Sequence, residues 1–302
     1  LMQEKALRAV VVGAGTMGTT LAKLMAVNGV KVTVVDTNPH VLETSRQRLA
    51  THAATTCFAT DLKMTEVPDF VIESVTENVE VKQKVVAQIE ASVNDATIIM
   101  TNTSGIPIDE IGSIMRVPQR FVGTHFFNPA DIVPTVEVVP GSHTEVETVE
   151  KACGWLTQLG KRPAVLKTCV PGFVANRIQH AVMRECLSLL EKGVVEAEAL
   201  DDIVQYSIGV RLALNGPLCQ RDLNGLDTHL HIARYLYPDL DASQQPAALL
   251  EEYVAKGRLG AKVGLGFYRW SDESLARHQA HERSKLKRII ELAAQDSHGD
   301  EP

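Results

Sequence analysis

His125 stands between a β-prone run and Phe126-Phe127-Asn128-Pro129, and Glu137 follows twelve residues later inside Val136-Glu137-Val138-Val139. A carboxylate in an apolar strand needs a partner, because an unpaired buried charge is costly. Pairing with His125 would satisfy Glu137 and raise the basicity of the imidazole, which is what a general base requires. An ordinary buried ion pair is the alternative for the same two residues. Ser104 lies in the loop Thr101-Asn102-Thr103-Ser104-Gly105 at another strand end. No G-x-S-x-G elbow surrounds it, so it reads as a hydrogen-bond donor rather than a nucleophile. Asn176, in Pro171-Gly172-Phe173-Val174-Ala175-Asn176-Arg177, reads by itself as a first-turn helix residue.

A second constellation opens the chain. Ala9 to Val12 is an apolar strand, and Gly13-Ala14-Gly15-Thr16-Met17-Gly18 turns it into a helix that carries Leu21, Leu24 and Met25 and ends at Gly29. Gly13 permits the tight turn, Gly15 lets the backbone approach a pyrophosphate, and Gly18 lets helix and strand pack closely. The phosphates would sit on the helix N-terminus with Thr16 and Met17, where N–H groups and the dipole favour anions. The next strand, Val32 to Val35, stops on Asp36, 18 positions after Gly18. A carboxylate there accepts from a ribose 2′-hydroxyl and repels a 2′-phosphate, so NAD is expected over NADP. FAD uses the same turn and is the alternative cofactor.

The elements that must hold these residues alternate. Asn38-Pro39 caps a helix expected through about Ala54, followed by a strand near Cys57 to Ala59. Strands are expected at Phe70–Glu73, Thr97–Met100, Arg120–Thr124, Val136–Val139 and Ala164–Leu166. Helices are expected at 78–91, Pro107–Met115 and Thr144–Leu159. Strands separated by helices predict a Rossmann-type, doubly wound, mostly parallel sheet, with Asp36, Glu73, Ser104 and His125 at the carboxyl ends of its strands. Beyond Val170-Pro171-Gly172 only helical periodicity remains: 173–192, 196–207, 217–236 and 245–256, then a charged, helix-prone tail from Asp272 that frays at its end. The fold class is therefore α/β, with a dinucleotide-binding domain at 1–169 and an all-α domain at 170–302.

The 302 residues, 45% hydrophobic and 22% charged, are those of a soluble globular chain. A net charge of -7 leaves no electrostatic footprint for nucleic acid or an anionic membrane. The sequence shows no apolar run of ~18 residues and no signal-peptide layout. Five scattered cysteines without metal-like spacing predict buried free thiols, no metal site and a cytoplasmic, reducing setting.

The segments T-N-T-S-G (101–105), G-T-H-F-F-N-P-A (123–130), V-E-V-V (136–139) and P-G-F-V-A-N-R (171–177) occur in that order. N-G-P…D-L-N-G-L-D (215–227) and L-G-A-K-V-G-L-G-F-Y (259–268) follow. Together they resemble the 3-hydroxyacyl-CoA dehydrogenase family across nearly the whole chain. The resemblance implies that His125 is the catalytic base and Glu137 its orienting partner, with Ser104 and Asn176 on the hydroxyl and carbonyl oxygens of a small-molecule substrate. Glu77 and Lys82 match family positions that border the cofactor, and Asn102 one near the nicotinamide; a solvated helix start is the alternative for Glu77 and Lys82. Oxidation of a 3-hydroxyacyl thioester to the 3-keto compound, and a homodimer through the helical domain, are implied with them.

The match departs from the family in three places. Only residues 37–60 separate Asp36 from Asp61, where the family places a long helical hairpin that helps hold the CoA nucleotide. Gly105 replaces a second serine, and Ala213-Leu214-Asn215-Gly216-Pro217 replaces His-Pro-Met-Gly-Pro. Arg211, just before that stretch, would face a substrate carboxylate or else be a surface arginine. A short or polar 3-hydroxyacyl thioester, a free 3-hydroxy acid as in the related L-gulonate 3-dehydrogenases or carnitine dehydrogenases, and a non-catalytic NAD-binding or structural protein like a lens crystallin are the resulting readings.

Overall fold

Short apolar runs separated by helices build one eight-stranded sheet. Its first half comprises β1 (Arg8–Val12), β2 (Lys31–Val35), β3 (Thr56–Ala59) and β4 (Phe70–Glu73). The second comprises β5 (Ile98–Thr101), β6 (Phe121–Phe126), β7 (Thr135–Pro140) and β8 (Arg162–Val165). The computed structural model describes residues 7–63 and 66–295, so the readings made for the chain's extreme ends lie outside the described residues. The strand order is β3-β2-β1-β4-β5-β6-β7-β8. All neighbours run parallel except β6 and β7. The expected α/β class with a mostly parallel, doubly wound sheet is what the chain adopts. The order reverses between β1 and β4, and a crevice opens beyond the carboxyl ends of that pair.

Helices α1 (Thr16–Val27), α2 (Pro39–Arg48), α3 (Val79–Ser92), α4 (Ile108–Gly112) and α5 (Val146–Gln158) cover the sheet. Alternation along β1 divides the core in two. Ala9 and Val11 pack with Leu21 and Met25 of α1 and Leu156 of α5. Val10 and Val12 pack with Val86 and Ile89 of α3 and Ile108 of α4. Successive strand residues face opposite sides, so both faces are buried and the strands read as continuous apolar runs.

Several boundaries differ from the sequence expectation for local reasons. Asn38 caps α2 through His40 N–H at 3.0 Å, yet the helix stops at Arg48 instead of Ala54. A 3₁₀ turn at Ala50–His52 intervenes, and the hydroxyls of Thr55 and Thr56 both donate to the His52 carbonyl, steering the chain into β3. β6 extends through Phe126, so His125 lies inside the strand and not at its end. β7 returns antiparallel because residues 127–134 contain no crossover helix.

The chain divides into compact units at Leu1–Asn176 and Arg177–Pro302. Residues 171–176 stay with the first unit because Phe173 is fully buried in the core that holds Ile108 and Phe121. The helices beyond are α6 (Ala175–Glu191), α7 (Ala197–Ile203), α8 (Val210–Leu212) and α9 (Pro217–Asn224), then α10 (Leu226–Leu236), α11 (Ala248–Ala255) and α12 (Asp272–Gln295). A π-helical turn, Val204–Gly209, joins α7 to α8. The single helix expected at 217–236 breaks at Gly225, whose φ of +90 needs glycine. Among the described residues of the second unit only Leu187, Ser188, Leu200 and Gly266 are buried. A cavity of about 500 Å³ opens there among Met183, Leu187, Leu190, Leu200, Phe267 and Trp270. At its edge Tyr268 donates to Asp201 at 2.6 Å, and burial together with that carboxylate pushes the phenol pKa up to about 12.

The cysteines correct one expectation. All five are free, but Cys57 and Cys219 are exposed and Cys153, Cys169 and Cys186 are half-buried, so none is a sealed core thiol. Among the described residues no helix is long and apolar enough to cross a membrane. No group of three or more His, Cys, Asp or Glu among them could hold a metal ion.

Candidate active site

Antiparallel register puts His125 directly opposite Glu137, so the two side chains share one face of the β6–β7 pair. His125 Nδ1 lies 2.7 Å from Glu137 Oε2, and both residues are buried. The other carboxylate oxygen, Oε1, accepts from Val174 N–H at 3.0 Å and Ala175 N–H at 2.9 Å. An acceptor-only carboxylate fixes the tautomer: Nδ1–H donates to Glu137, and Nε2 carries the lone pair a general base needs. Phe127 and Phe173 flank the imidazole, with ring centroids at 4.6 and 5.8 Å. Phe173 sits at φ +52, a rare backbone conformation for a bulky residue, immediately before the amides that hold Glu137.

Ser104 and Asn176 meet, but through the backbone of Ser104. The Asn176 side-chain amide donates to the Ser104 carbonyl at 2.6 Å. On its other side the Ser104 N–H donates to Glu77 Oε1 at 2.8 Å. This leaves the Ser104 hydroxyl at the exposed tip of the loop. Gly105 has a spatial reason: a Cβ there would lie 3.0 Å from Gly172 Cα, so a second serine would push on the segment leading to Asn176. Asn102 ties two strand ends together, since its Oδ1 accepts from Phe126 N–H at 3.0 Å.

Lys82 is not part of a solvated helix start. Its side chain is 1% exposed and its ammonium lies 2.9 Å from Glu73 Oε1, while Glu77 remains 42% exposed. Arg211 is exposed, and its Nε donates to the Ser207 carbonyl of its own helical segment. The sequence reading gave Glu73 only a place at a strand end, although the reasoning used for Glu137 applies to it: Phe70-Val71-Ile72-Glu73 is also a carboxylate in an apolar strand. Lys161 left no signal at all. It is buried, donates to the Ala130 and Val133 carbonyls, and so pins the loop that carries Phe127. Burial pushes its pKa down, against the opposing pull of Asp131.

The glycine turn fits a dinucleotide. Gly13 has φ +103, and a Cβ there would lie 2.5 Å from the Ser74 carbonyl. A Cβ on Gly18 would lie 1.8 Å from the Gly13 carbonyl, so neither position takes another residue without moving backbone. Gly15 is the opposite case, with nothing within 4 Å of its hypothetical Cβ, which leaves room for a phosphate. It caps α1 without a side chain, so the first-turn amides that include Thr16 and Met17 keep their capacity for an anion. Asp36 Oδ2 accepts from Ala14 N–H at 2.8 Å, which fastens the turn to the end of β2. Beside it lies a cavity of about 490 Å³ whose lining combines Asp36 and Thr37 with the apolar Leu62, Val75 and Val85.

A doubly wound nucleotide unit and a buried histidine–carboxylate pair define an NAD-dependent dehydrogenase acting on a CH–OH group. The NAD binding domain of 3-hydroxyacyl-CoA dehydrogenase matches residues 8–65 and 50–169, and the C-terminal domain of the same enzymes matches 172–270. The chain belongs to the 3-hydroxyacyl-CoA dehydrogenase family. It is 33% identical over 300 residues to the 5-formyl-3-hydroxy-2-methylpyridine 4-carboxylate 5-dehydrogenase of Mesorhizobium japonicum, covering 93% of this chain and 97% of that one. A crystal structure of such a dehydrogenase, described as an NAD⁺-dependent dismutase, superposes with a TM-score of 0.91 at 31% identity over 96% and 99% of the two chains. An (S)-3-hydroxybutyryl-CoA dehydrogenase from Ralstonia eutropha gives 0.73 at 32% identity, over 89% and 100%.

Proposed function

We propose that the chain oxidises a 3-hydroxyacyl group to the 3-keto compound, with His125 as base. The observation that carries this is the His125–Glu137 pair, which fixes an imidazole with its free nitrogen away from the carboxylate. His125 Nε2 takes the proton of the 3-hydroxyl, and Glu137 stabilises the imidazolium that forms. The Ser104 hydroxyl holds the reacting oxygen. Asn176, whose amide has spent one of its two N–H groups on the Ser104 carbonyl, holds the neighbouring carbonyl with the other. Bound NAD supplies the hydride acceptor. Gly13, Gly15, Gly18 and Asp36 hold its adenosine and phosphate portion, with Glu77 and Asn102 nearer the nicotinamide.

A second reading concerns the handle on the substrate. Residues 37–60 hold one short helix, a 3₁₀ turn and the strand β3 in place of a long hairpin. The chain also superposes more fully on the pyridine-carboxylate dehydrogenase than on the hydroxybutyryl-CoA enzyme. Both observations favour a small free carboxylate over a CoA thioester, and the hydrate of an aldehyde presents the same CH–OH to His125. A substrate panel followed by NADH absorbance separates the readings: 3-hydroxybutyryl-CoA against L-gulonate, carnitine and a formylpyridine carboxylate. A kcat/KM of about 10⁴ M⁻¹s⁻¹ or more identifies the working class. Tight NADH binding with no turnover on any of them would overturn both readings.

The helical unit supports a homodimer. Ile178, Val182, Met183, Ile203, Tyr206 and Leu214 are all exposed on it, and so large an apolar surface is unusual for a monomer. Sedimentation equilibrium should return twice the chain mass, and a monomer at micromolar concentration would remove the proposal. Five free thiols fit a cytoplasmic setting.

A further inference from the structure

We propose that Gly105 is a positioning residue: having no side chain, it lets the Ser104 loop close directly onto the backbone of Gly172 and ties the Ser104 hydroxyl to the frame that holds Glu137. The inference rests on Ser104 facing the substrate, as above.

Two glycines meet here for different reasons. Gly172 has φ +75, a conformation that itself favours glycine. Gly105 lies outside that region, so its backbone does not demand glycine and only space does. A Cβ on Gly105 would lie 3.0 Å from Gly172 Cα and 3.2 Å from Gly172 N, closer than side chains normally come to backbone. Two hydrogen bonds cross the contact. Gly172 N–H donates to the Gly105 carbonyl at 3.2 Å, and the Asn176 amide donates to the Ser104 carbonyl at 2.6 Å. The first already stands at the long end of the usual N–H···O range, so it has no slack to give.

Which side yields decides the consequence. On the Gly172 side, Phe173 is fully buried in the core with Ile108 and Leu166, and Val174 and Ala175 give their amides to the buried Glu137 at 3.0 and 2.9 Å. That side is fixed by packing and by charge. The Ser104 loop instead hangs from the half-exposed Glu77, whose Oε1 accepts from the Thr103 hydroxyl at 2.6 Å and from Ser104 N–H at 2.8 Å. Ser104 itself is exposed. Volume added at residue 105 therefore moves the loop, because a close-packed core passes strain on and does not absorb it. A recoil of a few tenths of an ångström breaks the Gly172 bond and carries the Ser104 hydroxyl away from His125, whose partner Glu137 stays with the Gly172 segment.

Amide hydrogen exchange read residue by residue, with and without Gly105→Ala, tests this without a substrate. The Gly172 amide should exchange about tenfold faster, while Val174 and Ala175 stay within about threefold. An unchanged Gly172 amide overturns the inference, and so does equal quickening at Val174 and Ala175, which would mean that the segment gave way. Should Gly105→Ala fail to fold by circular dichroism, Asn176→Ala removes the other cross-link without adding volume. Exchange over residues 101–106 should then quicken about tenfold, and no change there overturns the inference. Rates are read at saturating NAD, since the loop also bonds Glu77. For Gly105→Ala, kcat/KM of the panel's best substrate should fall about 5–10-fold, given that a misplacement of about 1 Å costs about 10²-fold; a fall of less than about twofold counts against the role. A double-mutant cycle excludes a merely structural effect. Adding Gly105→Ala to Ser104→Ala should cost less than about twofold, because both act at one hydroxyl, and full additivity overturns the inference. Ser104→Ala alone leaving turnover intact would instead overturn the site reading, while the exchange result still decides whether Gly105 fixes the loop.

Discussion

His125→Gln lowers turnover by about 10²–10⁴-fold, the usual worth of a positioned general base, and leaves NADH affinity near that of the native protein. Glutamine is the informative replacement. It keeps a polar side chain between Phe127 and Phe173 and can still donate to Glu137, but it has no nitrogen that takes up a proton near neutral pH. The cost to stability should stay within about 1–2 kcal/mol, because the site keeps a hydrogen-bonding side chain of moderate size. The glycine turn and the cavity beside Asp36 are built from other segments, so cofactor affinity has no reason to follow. Steady-state rates and an NADH fluorescence titration on the same preparation check both halves. Near-normal turnover would remove His125 from the mechanism.

The sequence showed the residues of this site more clearly than the direction of the strands that join them. Glu137 was legible because a carboxylate among valines demands a partner, and twelve residues of separation offered His125. That β7 runs antiparallel was not legible from periodicity, although it is the register that sets the pair face to face. The Glu73–Lys82 pair shows a different limit. Lys82 falls at a helix start among Glu77, Glu80 and Lys84, where charge normally means solvent, and only the fold reveals that this one points inward. The role of Asn176 changed in kind: its amide is partly spent on holding the Ser104 peptide. In the helical unit, periodicity located the helices but not the Gly225 break, because an apolar stripe continues on both sides of a single reversed φ.

Glu137 holds two structures at once, and two substitutions should separate them. Through Oε2 it orients His125, and through Oε1 it accepts the Val174 and Ala175 amides that begin α6. Glu137→Ala strips all three donors of their acceptor in a buried place, which should cost about 3–5 kcal/mol of stability along with the activity. Glu137→Gln retains a carbonyl for the two amides, so stability should fall by only about 1 kcal/mol. Its amide nitrogen, however, now faces Nδ1 as a donor. The imidazole answers by moving its proton to Nε2, the nitrogen that has to accept one, and turnover should drop about 10²–10⁴-fold even though the geometry is kept. Chemical denaturation and steady-state kinetics on the two variants read the two roles independently. Equal destabilisation by alanine and glutamine would mean that the amides of α6 do not depend on Glu137, and an active glutamine variant would mean that the tautomer does not.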